Sequence, residues 1–333
     1  MSVPASASTT ESVARPHWAL GATEPVLLKG HVADWPMVRA ARGGAEAAID
    51  FLRPFDAGEP VAAFIGPPQM AGRFFYNADL SGFNFTPERH RLASVFDALR
   101  KHLGETAPPA IYVGSTTVET CLPGLLDAQA LAIAPPQALA SIWLGNRSRI
   151  AAHQDLPDNL ACVVAGRRRF TLFPPEQLPN LYIGPLDFTP AGQPISLVDF
   201  AAPDLARFPR FAEALHHAQT FELDAGDALF IPSMWWHHVE ALDDYNALVN
   251  FWWRSTPAWR DAPILALMTA ILCLRELPAH ERAIWQDVFR HYVFEHEAEA
   301  AAHIPPQARR VLAPLEESAA RELRARLLHR LNR

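Results

Sequence analysis

His153 and Asp155 stand two residues apart in the run "IAAHQD" at 150–155. On a β-strand, residues i and i+2 share a face, so these two side chains project together while Gln154 projects the other way. An imidazole and a carboxylate side by side are two ligands for a metal ion. The triplet alone is a weak signal, because a chain with 14 His produces a His-x-Asp about once by chance. A second stretch gives it weight. "PSMWWHHVEAL" at 232–242 places two histidines at the start of a strand-like run, and one of them supplies a third ligand if the β region closes on itself. Neighbouring strand residues face opposite sides, so only one of His237 and His238 can look inward, and strand periodicity leaves that choice open. A His, His, carboxylate set occupies one face of an octahedron and leaves three positions free, which suits non-haem Fe(II); a structural zinc site takes four protein ligands.

These residues need a scaffold that brings distant strands together. From about 110 to 253 the chain reads as eight short strand-like runs, among them "AIYVG", "ASIWLGN", "LACVVAG", "RRRFTLF" and "ALVNFWW", bounded by Gly, Pro, Asp or Asn. That spacing predicts a sandwich or barrel. "DAGD" at 224–227 reads as a hairpin turn with Gly226 at positive φ, and residues 174–218 as an insertion of loops with a short helix. Upstream, "PVLLKGHVADWPMV" at 25–38 predicts a short strand, a turn at Gly30 and a Trp35-Pro36 corner. Residues 91–103 carry a helical stripe of Leu92, Val95, Phe96, Leu99 and Leu103.

After Pro257 the texture turns helical. Val311, Leu315, Leu323, Leu327 and Leu331 form a step-of-four row amid Arg and Glu. With "PILALMTAILCL" at 263–274 it offers more apolar helical surface than a barrel end needs. The expectation is a homodimer made through the C-terminal helices, with packing on the chain's own barrel as the alternative. The first 20 residues, rich in Ser, Thr and Ala, read as a disordered leader.

Composition narrows the function. The chain has 333 residues, half of them hydrophobic, enough for a sizeable core. A net charge of -7 argues against a dominant nucleic-acid or anionic-membrane surface. Three cysteines without CxxC spacing suggest neither a disulfide framework nor a zinc knuckle, and favour a reduced, cytoplasmic setting. The longest apolar run, at 263–274, is too short for a bilayer, which needs about 20 residues.

Taken in order, "HQDLPDNLACVVAGRRRFTLFPPEQ", "LDAGDALFIPSMWWHHVEAL" and "ALVNFWW" resemble the JmjC/cupin-type Fe(II)- and 2-oxoglutarate-dependent oxygenases, and within them the asparaginyl-hydroxylase branch. "PVLLKGHVADWP" and "GRFFYNADLSGFNF" are similar to the N-terminal part of that group, so the resemblance covers about residues 25–256. It implies a mainly β fold, a double-stranded β-helix (jelly-roll) barrel at about 110–256 within a domain at 21–256, followed by a helical region at 257–333. It makes His153, Asp155 and His237 the iron ligands, since the family takes the first His after the Trp pair. It puts Arg168 where the family usually has the Lys that binds the distal carboxylate of 2-oxoglutarate, a change that keeps the charge but brings a longer, planar donor. Tyr112 matches a Tyr on the same carboxylate, and Asn159 and Asn250 match polar positions lining cosubstrate and metal. Ile150 stands where that branch has a hydroxyl group. Trp235, Trp236, Phe251, Trp252 and Trp253 are expected as cavity walls.

The implied cofactors are Fe(II), 2-oxoglutarate and O2, and the implied activity is hydroxylation of a protein or peptide side chain, with succinate and CO2 as coproducts. The alternatives are a small-molecule or RNA hydroxylase of the same group, or a non-catalytic cupin-like protein that binds a metal or ligand. No nucleic-acid or membrane partner is expected.

Overall fold

The computed structural model describes residues 21–127, 134–295 and 298–332; the expected leader at 1–20 lies outside them. The chain divides into two compact units, one ending at Trp253 and one running from Arg254 to Arg333.

The first unit opens with β1 (Val26–Leu28), α1 (Pro36–Ala41) and α2 (Ala45–Leu52). Pro36 sits at the first turn of α1, where its missing N–H costs nothing. β2 (Pro60–Gly66), β3 (Arg73–Phe74) and β4 (Thr86–Arg91) lead into α3 (Leu92–Lys101), whose stripe of Leu92, Val95, Phe96 and Leu99 is buried as the periodicity requires. After β5 (Ala110–Thr117) and the single turn α4 (Val118–Cys121) come the strands that hold the site. They are β6 (Leu139–Gly145), β7 (Ser148–Gln154), β8 (Asp158–Ala165) and β9 (Arg168–Phe173). The insertion with α5 (Phe211–His216) follows, then β10 (Gln219–Leu223), β11 (Ala228–Ile231), β12 (Trp236–Ala241) and β13 (Asn246–Trp253).

Eight strands form one sheet in the order β1-β11-β8-β13-β6-β5-β2-β4, and five form another in the order β10-β9-β12-β7-β3. From β6 to β13 the chain passes back and forth between the two sheets, leaving only β9 and β10 as sequential partners in one sheet. This is the expected jelly-roll barrel. The loop at 224–227 is therefore a correction. Its turn is present, with Asp227 N–H donating to the Asp224 carbonyl and Gly226 at φ 108°, yet β10 and β11 belong to different sheets. The loop is a corner rather than a hairpin. The Asp227 carboxylate fixes it by accepting from Lys29 Nζ, the Gly30 N–H and the Asp224 N–H.

One apolar layer packs between the sheets, built on Ala161, Val163, Phe170, Leu172, Leu229 and Leu248. A second lies on the outer face of the large sheet under α1, α2 and α3, and includes Leu160, Cys162 and Val164. β8 is thus covered on both faces, which is why "LACVVA" reads as an unbroken apolar run rather than an alternating one. Gly166, at φ 69° between β8 and β9, has no room for a Cβ, which would lie 2.5 Å from both the Tyr245 carbonyl and Asn246 Oδ1. That tight corner sets the phase in which Arg168 enters β9.

The second unit holds α6 (Pro263–Leu274), α7 (Ala279–Phe289) and α8 (Glu317–Leu331). The expected apolar row is shorter than the sequence suggested. Val311 and Leu315 precede α8, with Pro314 between them, so only Leu323, Leu327 and Leu331 ride on that helix. No residue of α6 is buried, although ten of its twelve residues are apolar by type.

Candidate metal centre

His153 comes from the end of β7, Asp155 from just beyond it and His237 from β12, the strand hydrogen-bonded beside β7. His237 is the direct register partner of His153, so the two rings share a face with centroids 4.2 Å apart. His237 Nε2 lies 3.6 Å from Asp155 Oδ2. One ligand atom from each of the three residues falls within 4.8 Å of the others, close enough for the set to hold one metal ion. Register also settles the choice that periodicity left open. His238 points to the opposite face of β12, where its ring packs 4.6 Å from Phe200.

A bulge shapes this region. Val239 pairs with Ile150 and His237 with His153, so between these pairs β7 has two residues, Ala151 and Ala152, where β12 has one, His238. Three positions apart on a regular strand, Ile150 and His153 would face opposite ways. With the bulge, both line the cavity.

The donor chemistry fits a metal. Nδ1 of His153 lies 2.9 Å from the Ala151 carbonyl, and Nδ1 of His237 lies 3.0 Å from the Trp235 carbonyl. A carbonyl only accepts, so each Nδ1 carries a hydrogen, which leaves Nε2 as the ring atom turned toward a metal. Desolvation by dense surroundings, then the nearby His237 ring, hold the His153 imidazole down to about 4, which keeps it neutral. Burial pushes the Asp155 carboxyl up, but the His237 and His153 rings outweigh it, and the net shift is downward, toward the ionised ligand form.

His238 is also held down to about 4, by burial first and by Arg149 second. Its ordinary value and that of His153 are near 6.5. The unfolded chain therefore takes up protons at these two positions between pH 6.5 and 4 that the folded chain refuses. Stability of the metal-free protein should be full above pH 6.5 and fall through that window, by roughly 1.4 kcal/mol per pH unit for each histidine at most. Urea midpoints at pH 7 and pH 5 check this; an unchanged midpoint would contradict it.

The triad opens into a cavity of about 330 Å³ that also receives Tyr112 from β5, Asn159 from β8, Arg168 from β9 and Asn250 from β13. All seven residues singled out in the sequence line this one space. The three consecutive arginines are sorted by strand alternation. Arg167 pairs with Asp243, and Arg169 pairs with Glu222 and Glu240, all on the outside. Arg168 is buried between the sheets at 4% exposure, and it makes no ion pair with any described residue. Its Nε finds no acceptor. Burial lowers its pKa to about 10, which still leaves the guanidinium charged at neutral pH.

Trp143 on β6 belongs to the same space and was not anticipated from the sequence. Its indole can only donate, and its Nε1–H goes to Asn250 Oδ1 at 2.8 Å. That fixes the Asn250 amide, whose Nδ2 donates to Asn159 Oδ1 at 3.1 Å. Asn159 thereby keeps its own N–H groups for the cavity. Of the five aromatic residues expected as walls, only Trp252 lines it. Trp235 packs in the inter-sheet layer, Trp236 against the insertion, and Phe251 and Trp253 in the outer layer. Alternation explains this, because in β13 only Leu248, Asn250 and Trp252 face inward.

A two-sheet jelly roll with an inward His, Asp, His set defines a metal-binding barrel of the cupin class. The chain belongs to the cupin-like domain family, whose model matches residues 13–258. It is similar to Lysine-specific demethylase JMJ31 of Arabidopsis thaliana, 37% identical over 134 residues, which covers 40% of this chain and 23% of that protein. HSPB1-associated protein 1 of Homo sapiens is 37% identical over 115 residues, 34% of this chain and 23% of the relative. tRNA wybutosine-synthesizing protein 5 of Gallus gallus is 36% identical over 106 residues, 32% and 30% of the two chains. The matched stretch spans less than a third of each of these relatives. No helix among the described residues is long and apolar enough to cross a membrane.

Proposed function

We propose that the protein is an Fe(II)- and 2-oxoglutarate-dependent hydroxylase of a protein or peptide side chain, coupling R–H and O2 to R–OH while 2-oxoglutarate becomes succinate and CO2. One observation carries this reading. A single cavity holds both a three-donor metal set and a buried guanidinium that no carboxylate among the described residues pairs with. A dicarboxylate with a 2-oxo acid at one end satisfies both needs at once. His153, Asp155 and His237 would hold the iron, which supplies the redox chemistry that activates O2. Arg168, with Tyr112 beside it, receives the distal carboxylate, a pairing a guanidinium makes bidentately. Asn159 and Asn250, oriented by Trp143, offer neutral polar groups at the wall. The aromatic lining keeps bulk water from the reacting atoms.

The net charge of -7 supports a protein or peptide rather than RNA as substrate. The test is succinate formation from 2-oxoglutarate by the purified chain with Fe(II), ascorbate and O2. Failure to bind 2-oxoglutarate at all would refute the reading.

The same reading includes a homodimer through the second unit. Leu265 and Leu272 on α6, Ile284 on α7 and Leu327 on α8 are each about half exposed or more, an unusual load of apolar surface for helices facing water. Light scattering of the full chain should give twice the monomer mass of 36.8 kDa, and a chain ending at residue 256 should lose that association.

A further inference from the structure

We infer that the group this cavity brings to the metal is uncharged, and that a methylammonium head is excluded; the inference rests on the oxygenase reading and specifies its substrate. The argument is an accounting of charge. Only Tyr112, His153, Asp155, Arg168 and His237 among the lining residues are titratable. Tyr112 stays neutral, because burial raises its pKa well above the usual range. The two histidines and Asp155 are committed to the metal. Arg168 is committed to the cosubstrate carboxylate. No side chain of either sign is left to meet a charge on the substrate.

What remains is mostly hydrocarbon, with Ser115, Asn159, Gln193 and Asn250 as neutral polar groups. Phe64, Phe74 and Phe85 form one wall, and they pack on each other with centroids 5.0 to 6.4 Å apart. Ile150, Val239 and Leu248 continue it. The segment that pairs with His153 through Ile195 adds Pro190, Ala191 and Gln193. Next to the wall, Phe85 stacks on Phe83 at 5.3 Å and 15°, and Phe83 on Phe188 at 4.9 Å and 13°. Phe188 is 37% exposed, so a continuous aromatic strip runs from the cavity to the surface.

Aromatic faces attract ammonium groups when they are free to cup one. Here the rings of Phe64, Phe74, Phe85 and Tyr112 are turned onto one another, tilted by 31° to 68°. A cation at this wall would also lie in the same small cavity as Arg168 and the metal, where Asp155 is the one lining carboxylate side chain and serves the metal. Desolvating it there has no compensation. A neutral apolar group loses nothing and gains burial.

The isosteres 3,3-dimethylbutan-1-ol and choline, which differ in carbon against N⁺, provide the test. The full chain is loaded with Mn(II), which relaxes nearby protons without turnover, and with 2-oxoglutarate, and proton relaxation of each probe is measured at equal concentration. The alcohol should be relaxed at least about tenfold more strongly than choline. Equal or stronger relaxation of choline would overturn the inference. Absence of Mn(II) binding, read from water protons against His153→Ala, would instead overturn the oxygenase reading. Saturation transfer to the same two probes in the metal-free chain would then decide the charge preference by the same ratio.

Discussion

Replacing His153 by Ala should abolish tight Fe(II) binding and reduce succinate formation from 2-oxoglutarate by well over 100-fold. The expectation exceeds the 10- to 100-fold that outer-shell substitutions cost a metal site, because a ligand itself is lost. Two donors from His237 and Asp155, 3.6 Å apart, do not define one face of an octahedron. Asp155→Asn separates charge from shape, since it keeps an oxygen donor while removing the negative charge that offsets the cation. It should bind metal more weakly than the native chain and more strongly than Asp155→Ala. The fold itself should tolerate these changes. His153 is neutral and its Nε2 has no hydrogen-bond partner among the described residues, so the metal-free unfolding temperature should stay within a few degrees. Stabilisation by saturating Mn(II), visible as a rise in unfolding temperature, should disappear in His153→Ala. A variant that still gains that stabilisation would show the metal binding elsewhere.

How much of this was legible in the sequence depends on which physical rule each residue obeys. His153 and Asp155 follow strand alternation, and Arg168 follows it too as the middle of three arginines whose neighbours find acids outside. The eight strand-like runs and the helical stripe of α3 follow from periodicity alone. His237 against His238 could not be read this way, because the answer lies in the register between β12 and β7, a contact between segments some eighty residues apart. The bulge that turns Ile150 inward is invisible for the same reason. Trp143 looked like any strand tryptophan until β6 and β13 were neighbours with Ser141 opposite Asn250. The corner at 224–227 has the local chemistry of a hairpin turn, and only the alternation of strands between two sheets makes it a crossover. In the second unit, a step-of-four count ran across Pro314, which should have ended the helix there.

Arg168→Met should make the metal-free, ligand-free protein more stable while destroying its grip on 2-oxoglutarate. Both effects come from one feature, a buried guanidinium without an ion-pair partner among the described residues. Burial lowers its pKa to about 10, so at pH 7 the group is charged in the folded and unfolded chain alike, and the whole cost of desolvating it falls on the fold. Replacing buried ion pairs with apolar side chains of similar volume is neutral or gains up to about 4 kcal/mol; an unpaired charge has less to lose, and Phe170, which lines the same cavity, offers an apolar neighbour. Loss of the charged partner should weaken 2-oxoglutarate by about 2–4 kcal/mol, roughly 30- to 1000-fold. Arg168→Lys should recover part of that affinity, because it keeps the charge but not the planar pair of donors. Calorimetric titration with 2-oxoglutarate and Mn(II), beside urea unfolding of the bare chains, separates the two effects. A Met variant that is less stable and binds 2-oxoglutarate as the native chain does would show that Arg168 serves the barrel. The opposite signs expected here belong to a group held in an unfavourable state for the sake of its ligand.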